Sequence, residues 1–183
     1  MKLLRTSLLL LPLLLACAAP LRAEDKPRVS PTDTVTATIG GANIKVVYGR
    51  PFTKDPKTGE PRKVWGGLVP FGQVWRTGAN EATLLTTDKS LIMGSTTVPA
   101  GSYSIFAVPT ADGGKLIINK QTGQWGTKYD EAQDLARVDM KKAPLSDATH
   151  QFTIAIDENG KEGGTLNLMW EDTQYSVPFT VGK

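Results

Sequence analysis

The sequence lacks the residues on which several common kinds of active site depend. The chain of 183 residues has one cysteine, Cys17, and one histidine, His150. A zinc site usually needs several histidine or cysteine ligands, and a serine–histidine–aspartate triad would have to use His150. The signatures Gly-x-Ser-x-Gly, Gly-x-Gly-x-x-Gly and the P-loop are also absent. We therefore expect no metal, no bound cofactor and none of these catalytic chemistries.

The folded part of the chain also lacks an excess of positive charge. The whole chain carries 21 Lys and Arg against 18 Asp and Glu, a formal charge of +3. Three of the basic residues and no acidic residue lie in residues 1–23, so residues 24–183 have a net charge of zero. A nucleic-acid-binding domain would show a basic face or stripe. We therefore expect no nucleic acid among the partners.

Residues 1–23 have the pattern of an export signal. A basic start is followed by an uncharged, leucine-rich stretch, residues 6–21, which is too short to span a bilayer comfortably, and small residues follow it. This pattern predicts a signal peptide, with cleavage after Ala23 or Ala18, and a location in the periplasm or cell envelope. Residues 24–33 are polar and contain two prolines, which is typical of a linker.

Cys17 leaves an alternative open for this leader. Residues 13–17, Leu-Leu-Leu-Ala-Cys, resemble a bacterial lipobox, in which the cysteine is lipidated after removal of residues 1–16. Cys17 would then provide the one membrane contact of the protein. Otherwise Cys17 is discarded with the leader. In both cases the folded part has no cysteine and forms no disulfide bond.

The rest of the chain has the pattern of an all-β protein. Apolar and polar residues alternate in short segments, and pairs such as Gly40-Gly41 supply the positive φ that tight hairpin turns require. We count nine or ten strands, which lie in residues 34–39, 43–48, 81–87, 91–98, 102–108, 115–119, 152–156, 166–170 and 174–181. The sequence predicts a single antiparallel β-sandwich or jelly-roll-like domain over residues 34–183, with one short helix at residues 127–136 capped by Thr127 or Asp130.

Residues 48–83 show no periodicity and contain two of the four tryptophans. Non-repetitive segments of this length in a compact domain are often functional or tightly packed loops. The runs Tyr-x-Arg-Pro (48–51), Val-Trp-Gly (64–66), Trp-Arg-Thr-Gly-Ala-Asn-Glu (75–81) and Pro-Ala-Gly-x-Tyr-Ser-Ile-Phe (99–106) resemble the bacterial family called domain of unknown function 2911. The resemblance covers about residues 30–181 and implies an exported, β-rich protein with no established activity. Residues 54–62 form an insert in the first loop, which we interpret as an exposed excursion.

Two interpretations of this segment remain open. In the first, Arg50 and Arg76 pair with Glu81 or with backbone carbonyls and hold the loop to the sandwich. In the second, polar and aromatic side chains from this segment and from residues 119–129 line a pocket for a sugar, a peptide or a small anion. The candidate ligand-binding residues are Arg50, Trp75, Arg76, Asn80, Glu81, Asn119, Lys120, Trp125 and Tyr129.

Three functions are compatible with these patterns. The leading hypothesis is a non-enzymatic envelope module that binds a small polar ligand, a glycan or a partner protein. The second is a carboxylate-dependent hydrolase in which Glu81 works with Asp134 or Asp130. The third is a purely structural periplasmic protein without a pocket.

Overall fold

The structure of the protein is a computed structural model that describes residues 28–182. The predicted leader, Cys17 and residues 24–27 of the predicted linker lie outside the described residues. Nine strands and one 3-10 turn follow one another along the chain. They are β1 (Thr32–Ile39), β2 (Ala42–Gly49), β3 (Thr83–Thr87), β4 (Leu91–Met93), β5 (Thr96–Val98), β6 (Gly101–Pro109), β7 (Gly113–Asn119), the 3-10 turn (Glu131–Gln133), β8 (Asp134–Glu158) and β9 (Gly163–Val181). No helix within residues 28–182 is long and apolar enough to cross a membrane.

The nine strands form one antiparallel sheet, in the order β1-β2-β3-β6-β7-β8-β9-β4-β5. The sheet folds over, so that β1 comes to lie against β8 and Tyr48 of β2 also contacts β8. At this contact the backbone N–H of Ile154 in β8 donates a hydrogen bond to the Tyr48 hydroxyl in β2 at 3.0 Å. The core lies between the two layers, as in a sandwich, and the prediction of an all-β antiparallel domain is confirmed.

The strands begin and end close to the positions that the alternating pattern indicates. Gly40 and Gly41 turn the chain between β1 and β2 with φ angles of 56° and 71°, which confirms the predicted tight turn. The predicted strand at 91–98 is instead a short hairpin, β4 and β5, because Gly94 turns the chain with φ 60°.

The long strands β8 and β9 differ from the prediction. The structure shortens the expected helix at 127–136 to one 3-10 turn, capped by the Asp130 carboxylate, and β8 starts directly after it at Asp134. Residues 166–181 lie in one strand rather than two. Glu171 adopts φ 53° within β9, and the register with β8 shifts near Thr149. The predicted turn at 171–173 is therefore an irregularity inside a continuous strand.

An aromatic cluster fills one end of the core. Trp65, Trp75, Phe152 and Trp170 pack with ring centroids 5.0–6.4 Å apart, and Tyr175 lies 4.9 Å from Trp65. Residues 52–81 supply two of these rings and β8 and β9 supply the others, so packing of the cluster holds the non-repetitive segment against the sheet.

Candidate functional site

A cleft of about 570 Å³ opens beside this aromatic cluster. Its floor contains Trp75, Phe106 and Trp170, and its mouth contains exposed apolar side chains. The charged and hydrogen-bonding side chains that line it come mostly from the non-repetitive segment and its neighbours. They are Ser30, Lys54, Arg62, Arg76, Asn80, Thr127 and Tyr129. Mixed apolar and polar walls of this kind are typical of small-molecule sites.

The loop that carries Arg76 and Asn80 is held in a strained conformation. Trp75 exchanges two backbone hydrogen bonds with Ala107 of β6, at 2.7 and 2.8 Å, which fixes the start of the loop. Thr77 and Asn80 then adopt φ 51° and 65°, and Thr77 is completely buried. Positive φ is unfavourable for a β-branched residue, and such strain often accompanies a functional site. The Thr83 hydroxyl stabilises the turn by donating to the Thr77 carbonyl at 2.6 Å.

Arg76 lies in the cleft wall and is half-buried. Its Nε donates a long hydrogen bond of 3.4 Å to the Gly78 carbonyl. No carboxylate within residues 28–182 pairs with it, and its terminal nitrogens have no acceptor there. The pair between Arg76 and Glu81 is therefore wrong, whereas the backbone carbonyl of Gly78 is a partner of the kind that the structural interpretation also named. The terminal nitrogens of Arg76 remain able to bind an anion.

Asn80 and Tyr129, two of the candidate ligand-binding residues, also line the cleft. The Asn80 side-chain NH₂ donates to the Ser30 carbonyl at 3.0 Å. The Tyr129 hydroxyl donates to Asp134 at 2.7 Å and accepts from Arg137 at 2.9 Å. Burial, followed by the hydrogen bond to Asp134, raises the pKa of Tyr129 to about 12, so the hydroxyl stays protonated at neutral pH.

Glu81 lies outside the cleft lining and has a different partner. Arg28 donates two hydrogen bonds to its carboxylate, at 2.8 and 2.7 Å. The hydrogen bond from Arg28 lowers the pKa of Glu81 below its ordinary value. The partner is 53 residues away along the chain, and for this reason the local spacing of Arg76 and Glu81 suggested the wrong pair.

Arg50 and Asn119 hold the scaffold together rather than facing the cleft. Arg50 donates to the Phe152 carbonyl, to Asp33 and to Thr153 at 2.8–3.0 Å, which matches the structural interpretation of this residue. Asn119 is fully buried, and its NH₂ donates to Asp130 and Asp134. Each of the three guanidinium nitrogens of Arg50 therefore already donates a hydrogen bond within the protein, and these donors are unavailable to a ligand.

Lys120 and Trp125 also lie outside the cleft lining. Lys120 is exposed, and its backbone N–H pairs with Gln133. Trp125 is 49% exposed and forms an isolated bridge with Glu81. Of the nine candidate residues, the structure thus brings Trp75, Arg76, Asn80 and Tyr129 together and places the other five elsewhere.

Trp170 is the cleft residue with the most unusual hydrogen bonding. It is 1% exposed, and its buried indole N–H has no acceptor within the described residues. The backbone beside it is also unusual, because Glu171 has a positive φ. Among the other non-glycine residues of 28–182, only Thr77 and Asn80 share this conformation. A buried donor without a partner is unfavourable, and it can be satisfied by a bound molecule. The alternating pattern of β9 indicated only that Trp170 is a core residue.

The sequence interpretation also missed Lys54, Phe52 and Arg62. The insert at 54–62 is mostly exposed, as expected, but it folds back so that Lys54 and Arg62 line the cleft. The Arg62 guanidinium donates to the Phe52 and Thr53 carbonyls, which holds the insert in place. The signal that could have identified this wall is the presence of Lys54 and Arg62 in an insert that otherwise looked like an exposed excursion.

The charge of the cleft has one sign. Lys54, Arg62 and Arg76 are its charged lining residues, and no Asp or Glu of residues 28–182 lines it. Neither Glu81 nor Asp134 lines the cleft, and they share no hydrogen bond. The described residues contain no group of three or more His, Cys, Asp or Glu that could hold a metal ion. The arrangement can therefore bind an anion but offers no pair of carboxylates for acid–base catalysis.

Comparison with known proteins supports the resemblance found in the sequence. A family model described as "Protein of unknown function (DUF2911)" matches residues 30–179, which is most of the chain. Neither the curated proteins nor the solved structures contain a match.

Proposed function

The chain belongs to the DUF2911 family of proteins of unknown function, and we propose that it is an exported, non-enzymatic protein that binds a small polar ligand in the cleft beside Arg76. One observation carries this proposal: the charged side chains that line the cleft are all cations. A binding site requires only complementary charge and shape. A hydrolase of the kind considered above would need carboxylates at the ligand.

The hydrogen bonding of the acidic candidates also favours binding over catalysis. A general acid at neutral pH needs a raised pKa, and the Arg28 guanidinium lowers the pKa of Glu81. The Asp134 carboxylate accepts hydrogen bonds from Asn119, Tyr129 and Arg137. These carboxylates therefore stabilise the scaffold around the cleft.

Tryptophan fluorescence offers a direct test, since Trp75 and Trp170 line the cleft. We would titrate the protein with acetate, octanoate, inorganic phosphate and N-acetylglucosamine as probes. At least one of them is expected to change the fluorescence saturably, and Arg76→Gln should weaken that response. Lys115→Gln is the matched control, because Lys115 is an exposed cation paired with Asp139 outside the cleft. If no probe binds, or if both variants respond as the wild type does, the binding proposal is refuted.

Export is the second part of the proposal, and it is supported by the pattern of residues 1–23. Mass spectrometry of the protein from its native cells should show loss of at least residues 1–16. A lipid on Cys17 would identify the anchor, whereas a chain that starts at Ala19 or Glu24 would exclude it. An intact Met1 terminus would contradict export.

A further inference from the structure

We infer that the ligand of the cleft is an organic anion with an apolar body, such as a carboxylic acid that carries an alkyl or aryl group. This inference rests on the binding function proposed above and specifies the class of ligand. Three features of the cleft carry it: the balance of donors and acceptors, the charge, and the apolar mouth.

The unused polar groups of the cleft are mainly donors. The terminal nitrogens of Arg76, the Lys54 ammonium and the Trp170 indole N–H have no acceptor within residues 28–182. The Tyr129 hydroxyl is already paired as both donor and acceptor. An anionic group presents only acceptors and therefore matches this set.

A neutral sugar matches the set less well. Its hydroxyl groups donate as well as accept, so they need protein acceptors at the same site. The side-chain acceptors left in the cleft wall are the Asn80 amide oxygen and the hydroxyls of Ser30 and Thr127, and no carboxylate joins them. The donor excess therefore favours an anion over a glycan.

The Trp170 indole N–H is the buried member of this set of donors. The described residues contain two other buried side-chain atoms without a partner, the amide oxygens of Gln121 and Gln124, and neither residue lines the cleft. Trp170 lines the cleft, and its unpaired atom is a donor, which is stabilised when an acceptor reaches it. A carboxylate oxygen is such an acceptor.

The mouth of the cleft indicates that the anion has an apolar part. Seven large apolar side chains are exposed within residues 28–182, and four of them line this cleft: Val29, Phe52, Leu68 and Val74. An inorganic anion would leave this apolar surface in water. An alkyl or aryl group would cover it and would also contact the aromatic floor.

Octanoate, acetate and N-acetylglucosamine separate these classes of ligand. Binding would be measured on the intact protein by tryptophan fluorescence and by calorimetry. Octanoate is expected to bind more than about tenfold more tightly than acetate, because each buried methylene contributes up to about fourfold. Arg76→Gln should weaken octanoate binding about tenfold, the usual loss for a charge-assisted hydrogen bond, and Lys115→Gln should leave it unchanged.

A second variant covers the case in which Arg76→Gln fails to fold. Leu68 is exposed at the mouth, so Leu68→Glu should fold and should weaken octanoate binding by repelling the anion. Equal affinity for octanoate and acetate, or octanoate binding unaffected by either variant, overturns the inference. If N-acetylglucosamine alone binds and depends on Arg76, the inference fails but the binding function stands. If no probe binds, both fail.

Discussion

The Arg76 side chain lies against the backbone of Gly126, so closely that a side chain at Gly126 would occupy its place. A methyl group on Gly126 would lie 2.5 Å from Cδ and 2.9 Å from Cβ of Arg76, and 2.9 Å from the Asn80 carbonyl oxygen. Gly126 also donates its N–H to that carbonyl at 2.9 Å. The absence of a side chain at Gly126 thus positions the guanidinium in the cleft wall.

Gly126→Ala is therefore expected to displace Arg76 without removing its charge. Octanoate binding should weaken by up to about tenfold, since the guanidinium no longer meets the anion in its original geometry. Titration of the single variants and of Gly126→Ala/Arg76→Gln would check this. The double variant should bind about as weakly as Arg76→Gln alone, whereas additive losses would show that Gly126 acts by another route.

Arg50 and Arg76 should differ in their effect on stability. Arg50→Ala removes three hydrogen bonds to Phe152, Asp33 and Thr153 and should lower the free energy of unfolding by about 2–3 kcal/mol. Arg76→Ala removes one long bond to Gly78 and should lower it by less than about 1 kcal/mol. Urea denaturation of the two variants gives both values. Equal losses would mean that Arg76 also stabilises the scaffold.

Trp65 and Trp170 are both buried, and a comparison of the two tests the effect of an unpaired indole N–H on stability. The Trp65 indole N–H donates to the Trp170 carbonyl at 3.0 Å, while the Trp170 indole N–H has no acceptor within the described residues. Replacement by Phe removes the same volume from each. Trp65→Phe should cost about 1 kcal/mol more than Trp170→Phe, because it also removes a buried hydrogen bond, to the Trp170 carbonyl. Thermal and urea unfolding would measure the difference, and the reverse order would contradict the assignment.

Glu81 should titrate at lower pH than an ordinary glutamate because of its hydrogen bonds from Arg28. Since the pKa is lowered in the folded state, the pair stabilises the fold fully above the ordinary glutamate pKa. That stabilisation is lost as the pH falls through the lowered value. NMR titration of the Glu81 carboxyl carbon in wild type and Arg28→Gln would test this. The variant should show a higher Glu81 pKa; an unchanged pKa would exclude Arg28 as the cause.

The fold was largely predictable because its signals are local. Alternation of apolar residues and glycine turns such as Gly40-Gly41 depend on neighbouring residues, and they placed most strands near their observed bounds. The long strand β8 was missed over residues 134–151, where most side chains are exposed or half-buried. That stretch is held as a strand by pairing with β7 and β9 rather than by burial of an alternating face.

The site was predictable in part. The unusual run at 75–81 drew attention to Trp75, Arg76 and Asn80, and all three line the cleft. Arg50 and Asn119 looked like equally good ligand candidates, because residue type does not show whether a polar side chain faces solvent or is paired inside the protein. Lys54 and Arg62 were overlooked for the opposite reason, since they occur in a segment without any recognisable motif.

The sequence by itself determined the strand pattern, the family and the segment that builds one wall of the cleft. Only the tertiary structure decided which charges are paired. Glu81 takes Arg28 as its partner from 53 residues away, and this choice leaves Arg76 without a carboxylate among residues 28–182. Trp170 likewise meets Trp75 across the core from a strand nearly a hundred residues along the chain. Contacts of this kind depend on how the sheet folds over. The local pattern of residues cannot predict them, because it does not specify which distant segments come together.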